Sequence, residues 1–185
     1  MTKHLLVALF AILMLASCSP SASKKAAEIE KLANELKESG KENVGKNADD
    51  NKKLKELMSD YQYYVRTFPA DSLTPIYLMM EGKLYTHFLL PDSAIYCYDQ
   101  VYTRFPTYLN ANEALFREAY ILNNEKHDFA RAKTLYQEYL SKYPNTPRAK
   151  SVQQELHFLG KTPDQIMAEI DSVKQTHKDT VLRRP

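Results

Sequence analysis

An aromatic–proline pair closes three successive segments of this 185-residue chain: Phe68-Pro69, Phe105-Pro106 and Tyr143-Pro144. The prolines stand 37 and 38 residues apart. A recurrence of that length marks a supersecondary unit that cannot bury its apolar face alone and must stack on its neighbours. Each pair follows a matching stretch: Tyr64-Val65-Arg66-Thr67, Val101-Tyr102-Thr103-Arg104 and Tyr139-Leu140-Ser141-Lys142. The basic residue complements the negative end of a helix dipole, and the proline ring prevents continuation. All three segments therefore read as helix ends.

Counting back from Pro106, Gly82, Tyr85, Ala94 and Tyr98 fall 24, 21, 12 and 8 residues upstream. In the next unit Leu115, Ala119 and Leu122 share one helix, and Ala132 and Tyr136 lie 38 residues after Ala94 and Tyr98. The small-to-small spacing is 12 in the first unit and 13 in the second, which predicts one extra residue in the Asn123–Asp128 turn. A small residue and an aromatic on one helix, then alanine and an aromatic on the next, resembles the tetratricopeptide repeat. The resemblance implies an all-α fold, a TPR-like α-solenoid of antiparallel helix pairs. Two full repeats are expected at about 74–106 and 110–144, with half-repeat helices flanking them. Glycine inside a helix costs about 1 kcal/mol relative to alanine, so it needs a packing reason. Here Gly82 and Ala94 are expected to face each other across the first pair, with Tyr85 and Tyr98 filling the flanks.

Helix starts agree with this layout. Thr74-Pro75, Thr146-Pro147 and Thr162-Pro163 place a capping hydroxyl before a proline at the first helical position. Thr162-x-x-Gln165 and Asn110-x-x-Glu113 have the form of capping boxes. Helices are expected at 25–38, 50–67, 75–88, 92–104, 111–123, 129–142, 147–158 and 163–175. Leu57, Tyr61, Tyr64 and Val65 give 50–67 a face for the first repeat. Ala149, Val152, Leu156 and Leu159 cover the second, Gly160 stops that helix, and Ile166, Met167 and Ile170 begin another. The helix at 25–38 carries Ile29, Leu32, Ala33 and Leu36 on one face, so it either docks on 50–67 or stays partly detached. The helical domain thus spans 50–176, after a lipid anchor, short helix and flexible connector at 18–49. The basic tail at 177–185 lacks periodicity and reads as disordered.

Four glycines and no tryptophan do not suit a sandwich or barrel with many tight turns. With 25 Lys+Arg against 23 Asp+Glu, the chain has no basic excess for a nucleic-acid partner. At the N-terminus Lys3 precedes a twelve-residue uncharged run, Leu5 to Ala16. That is too short to span a bilayer, which takes about 20 residues, and suits a signal-peptide core over residues 1–17. Leu15-Ala16-Ser17-Cys18 resembles the bacterial lipobox, whose cysteine is acylated and becomes the mature N-terminus. By that resemblance Cys18 anchors the protein to a membrane through palmitate-like acyl chains. Ser19, rather than Asp, implies the outer membrane of a Gram-negative bacterium. The absence of an acidic cluster at 19–23 implies a domain facing the periplasm.

The residues offer no catalytic constellation. The five histidines form neither HExxH nor any pair three or four apart, so no metal and no cofactor is expected. Asp49-Asp50 reads as a solvated loop, and Cys97, between Tyr96 and Tyr98, as a buried inert thiol. The concave face of a tetratricopeptide stack is built by the first helix of each pair. By repeat position, Ile76, Met79, Lys83 and Thr86, then Glu113, Phe116, Tyr120 and Asn123, are expected to line it. Met and aromatics with few charges suit an extended or helical peptide, with Lys83 fixing polarity. Met79 and Lys83 do not reproduce the basic and Asn clamp of chaperone-binding relatives.

The layout over roughly 50–175 is similar to outer-membrane lipoproteins of the tetratricopeptide class. These include the BamD-type subunit of the β-barrel assembly machine and the repeat domain of the Tol–Pal-associated division coordinator. The likeness implies a non-enzymatic scaffold that binds another envelope protein or peptide. The alternative is a small-ligand or glycan-binding uptake lipoprotein.

Overall fold

The computed structural model describes residues 20–39 and 48–182. The signal segment, Cys18, most of the connector and the last three residues lie outside these. The described residues form eight α-helices and no strand. They are α1 Ala22–Ser39, α2 Ala48–Thr67, α3 Thr74–His87, α4 Pro91–Arg104, α5 Ala111–Asn124, α6 Phe129–Lys142, α7 Ala149–Phe158 and α8 Pro163–Leu182. The fold is all-α, as the repeat spacing requires. Three residues separate α3 from α4 and four separate α5 from α6, so the second turn does hold the extra residue. Two expectations change. Asp49 and Asp50 stand in the first turn of α2, where carboxylates favour the helix dipole, and Asp50 is buried rather than solvated. The helix expected to stop near 175 continues to Leu182, so His177 to Leu182 is helical rather than disordered.

Two compact units divide within α3, between Glu81 and Gly82. In the first, α1 docks on α2. Ile29 and Leu36 of α1 are buried, as are Leu54, Leu57, Tyr61 and Tyr64 of α2. Lys25 Nζ donates to Asp60 Oδ1 at 2.6 Å across the pair. Tyr77 stacks on Tyr61 with centroids 5.3 Å apart and meets Tyr64 edge-on at 4.6 Å.

The aromatic–proline segments build one turn three times. The amide of Phe68, Phe105 or Tyr143 bonds the carbonyl four residues back, on Tyr64, Val101 or Tyr139. Three residues on, Asp71, Tyr108 and Thr146 donate to those aromatic carbonyls, and three further on Thr74, Ala111 and Ala149 donate to them in turn. Two turns add the same side-chain latch: Tyr64 Oη donates to Asp71 Oδ1, and Tyr139 Oη bonds Thr146 Oγ1, both at 2.9 Å. Thr74 and Thr146 are therefore not capping acceptors. Their hydroxyls donate to the carbonyls of Phe68 at 2.6 Å and Tyr143 at 3.0 Å, closing the turn instead. Thr162 does cap: its amide donates to Gln165 Oε1 and its Oγ1 accepts from the Gln165 amide, the reciprocal box.

In the second unit α4, α5, α6 and α7 pack in chain order, the stacking of a tetratricopeptide-like solenoid. Its core is Leu115, Ala119 and Leu122 of α5, Ala132, Tyr136 and Tyr139 of α6, and Ala149 and Val152 of α7. Gly82 is explained here. A Cβ on Gly82 would stand 2.8 Å from Tyr98 Cε1, so the glycine makes room for the Tyr98 ring. Tyr98 is fully buried and Tyr85 half-buried. Gly160, at φ +72°, ends α7 in the left-handed conformation. Met167 of α8 is 55% exposed and so does not join the covering face expected of it. Cys97 is buried, as its apolar helix implied.

Candidate functional site

Phe116 and Tyr120 are one helical turn apart on α5, a spacing that puts them on one face. Their ring centroids are 5.9 Å apart, and Phe116 also meets Tyr136 at 6.3 Å. Arg148, just before α7, lays its guanidinium 4.4 Å over the Phe116 ring. Such stacking suits a delocalised, weakly hydrated cation. Glu113 does not form the box with Asn110, whose side chain makes no cap bond. Its carboxylate instead accepts from Arg148 Nε at 2.7 Å and Arg117 Nη2 at 2.9 Å. One carboxylate thus fixes two arginines beside two aromatic rings.

These groups border a cavity of about 190 Å³, completed by Thr86 of α3, Tyr98 of α4, and Ile121 and Glu125 at the end of α5. Two polar atoms of its lining residues are buried without a hydrogen-bond partner among the described residues, Tyr98 Oη and Arg117 Nε. Burial pushes the Tyr98 hydroxyl above the usual phenol range, and the polar side chains of Thr86 and Arg117 beside it oppose the rise. An unsatisfied buried donor costs about 1–3 kcal/mol, so its presence asks for a reason. Tyr136 Oη is a third such atom, outside the cavity lining.

The expected groove residues are distributed as follows. Thr86, Glu113, Phe116 and Tyr120 come together in this cavity. Ile76 and Met79 belong to the first unit, and Met79 is only 4% exposed, a core residue rather than a surface contact. Lys83 is exposed on α3 but does not line the cavity; the positive charge there comes from Arg117 and Arg148. Asn123 points elsewhere, to a second cavity with His127, Glu155 and Lys161, and donates to Glu155 Oε2 at 3.5 Å. Sequence reasoning missed Arg117, Arg148 and Tyr98 as site residues. A signal for Arg117 existed, because Glu113 and Arg117 have ion-pair spacing on a helix. Arg148 is brought in only by packing of the next repeat. Among the described residues no group of three His, Cys, Asp or Glu side chains could hold a metal ion.

Residues 113–146 match the tetratricopeptide repeat family. The chain carries a tetratricopeptide repeat. The matched stretch holds the Glu113–Phe116–Tyr120 face, the small residues Ala119 and Ala132, and Tyr136 and Tyr139. Repeats of this kind generally mediate protein–protein contact, so the cavity wall lies on a module whose ordinary partner is another protein. No curated protein matches the chain.

Proposed function

We propose that this protein is a lipid-anchored, periplasm-facing scaffold that captures a segment of another envelope protein in the cavity between α3, α4, α5 and the start of α7. Outer-membrane protein assembly or envelope and division coordination is the setting that the lipobox-like leader and the repeat layout support. The observation that carries the reading is the Phe116–Tyr120 face under Arg148. Rigid aromatic and Arg residues are the side chains on which interface energy concentrates. Size favours a peptide over a glycan or nutrient. At about 190 Å³ the cavity admits one side chain, whereas small-molecule pockets are roughly 300–1,000 Å³.

The test is capture of envelope proteins by the anchored chain in cells, with in-cell crosslinking. Tyr120→Ala, at an exposed position, should weaken capture by about 1–3 kcal/mol without moving the melting curve. Phe116→Ala should do the same at some cost in stability, because Phe116 also packs on the core. Full recovery of partners by the folded double variant would overturn the reading.

A further inference from the structure

Resting on the peptide-groove reading, we infer that the inner part of the cavity receives an acidic side chain of the captured segment, its carboxylate accepting from Arg117 Nε and the Tyr98 hydroxyl. Both donors are buried and unpartnered among the described residues, and both residues line the same cavity. An arginine nitrogen can only donate, so whatever meets it must accept; a tyrosine hydroxyl can donate to the same group. Glu113, Glu125 and the two arginines balance in charge around the cavity, so the selection comes from the donors themselves. A carboxylate would take both donors, and the charge-assisted bond it makes to an arginine is stronger than that of a neutral amide. The walls fit the rest of an Asp or Glu side chain. Phe116 and Ile121 offer apolar contact to its methylene stem, while the peptide backbone stays outside a space of about 190 Å³.

Tyrosine-to-phenylalanine substitutions separate this role from a structural one. Tyr98→Phe keeps the ring that fills the space at Gly82 and removes only a buried, unpartnered hydroxyl. The free chain should therefore become more stable while peptide binding becomes weaker. Tyr136→Phe removes a like hydroxyl outside the cavity lining. It should leave binding unchanged.

The probe is a library of N-acetylated, C-amidated random decapeptides, screened against the full chain in detergent, so that no terminal carboxylate is available. Binders should be enriched in Asp or Glu at one position. Changing that residue to Gln or Asn should weaken binding at least tenfold, Arg117→Met by a similar factor and Tyr98→Phe about fivefold. Binders that need Tyr120 yet show no acidic preference, or that tolerate the Gln change within twofold, would overturn the inference and leave the groove standing. If the folded chain selects no binder at all, the groove reading falls and the inference with it.

Discussion

Gly82 answers to two opposed demands. Replacing it with alanine gains about 1 kcal/mol of helix propensity. The same methyl group would stand 2.8 Å from Cε1 of the Tyr98 ring, which is fully buried. Overpacking of a well-filled contact costs about 1–3 kcal/mol, so the clash should win. Gly82→Ala is expected to lower the unfolding free energy, measured by urea denaturation, by a net of up to about 2 kcal/mol. A stabilised variant would mean that the Tyr98 ring does not occupy that space.

Glu118 is where α5 and α6 leave a charge out of water. It is 5% exposed, and the nearest cation, Arg131, is 3.6 Å away. Burial, then the nearby Asp99, push its carboxyl up to about 7, with Arg131 opposing and Glu138 adding to the rise. An unfolded glutamate titrates near 4.5. Between the two values the folded chain holds a proton that the unfolded chain has released. Stability from this group is therefore present below about 4.5 and lost as pH rises towards 7. Glu118→Gln should raise stability at pH 7.5 by on the order of 1–3 kcal/mol and by much less at pH 4.5, measured by urea unfolding. An equal gain at both pH values would show that shape, not charge, limits the contact. Glu81, one repeat earlier and also buried, occupies the same place before the small residue of its helix.

For the whole molecule the decisive question is what holds it in place. No helix among the described residues is long and apolar enough to cross a membrane. Under the proposed reading the hold comes from acyl chains on Cys18, each buried methylene contributing about 0.8 kcal/mol. Cys18→Ala should shift the protein from the membrane fraction to the soluble one or leave an uncleaved precursor. Unchanged outer-membrane fractionation would refute the anchor.

Much of the fold was legible in the chain, because its signals are local and repeated. Proline after an aromatic ends α2, α4 and α6, and the backbone turn that follows is the same each time. The spacing of Ala94, Tyr98, Ala132 and Tyr136 located the second helix of each pair, and all four are fully buried. The extra residue in the α5–α6 turn was readable from one count. The sequence could also place Phe116 and Tyr120 on one helical face, since that depends only on their spacing of four. What the tertiary structure decided are the contacts between groups distant in the chain. Gly82 could have met any neighbour of the right height, and only packing gave it Tyr98. Glu113 could cap its helix or bind arginine. Arg148, brought over Phe116 by the next repeat, helped to settle that, because Glu113 gains two arginine partners there. The unpartnered hydroxyl of Tyr98 was invisible from sequence for the same reason. A tyrosine states that it has a hydroxyl, but only the fold determines whether anything is left to bond it.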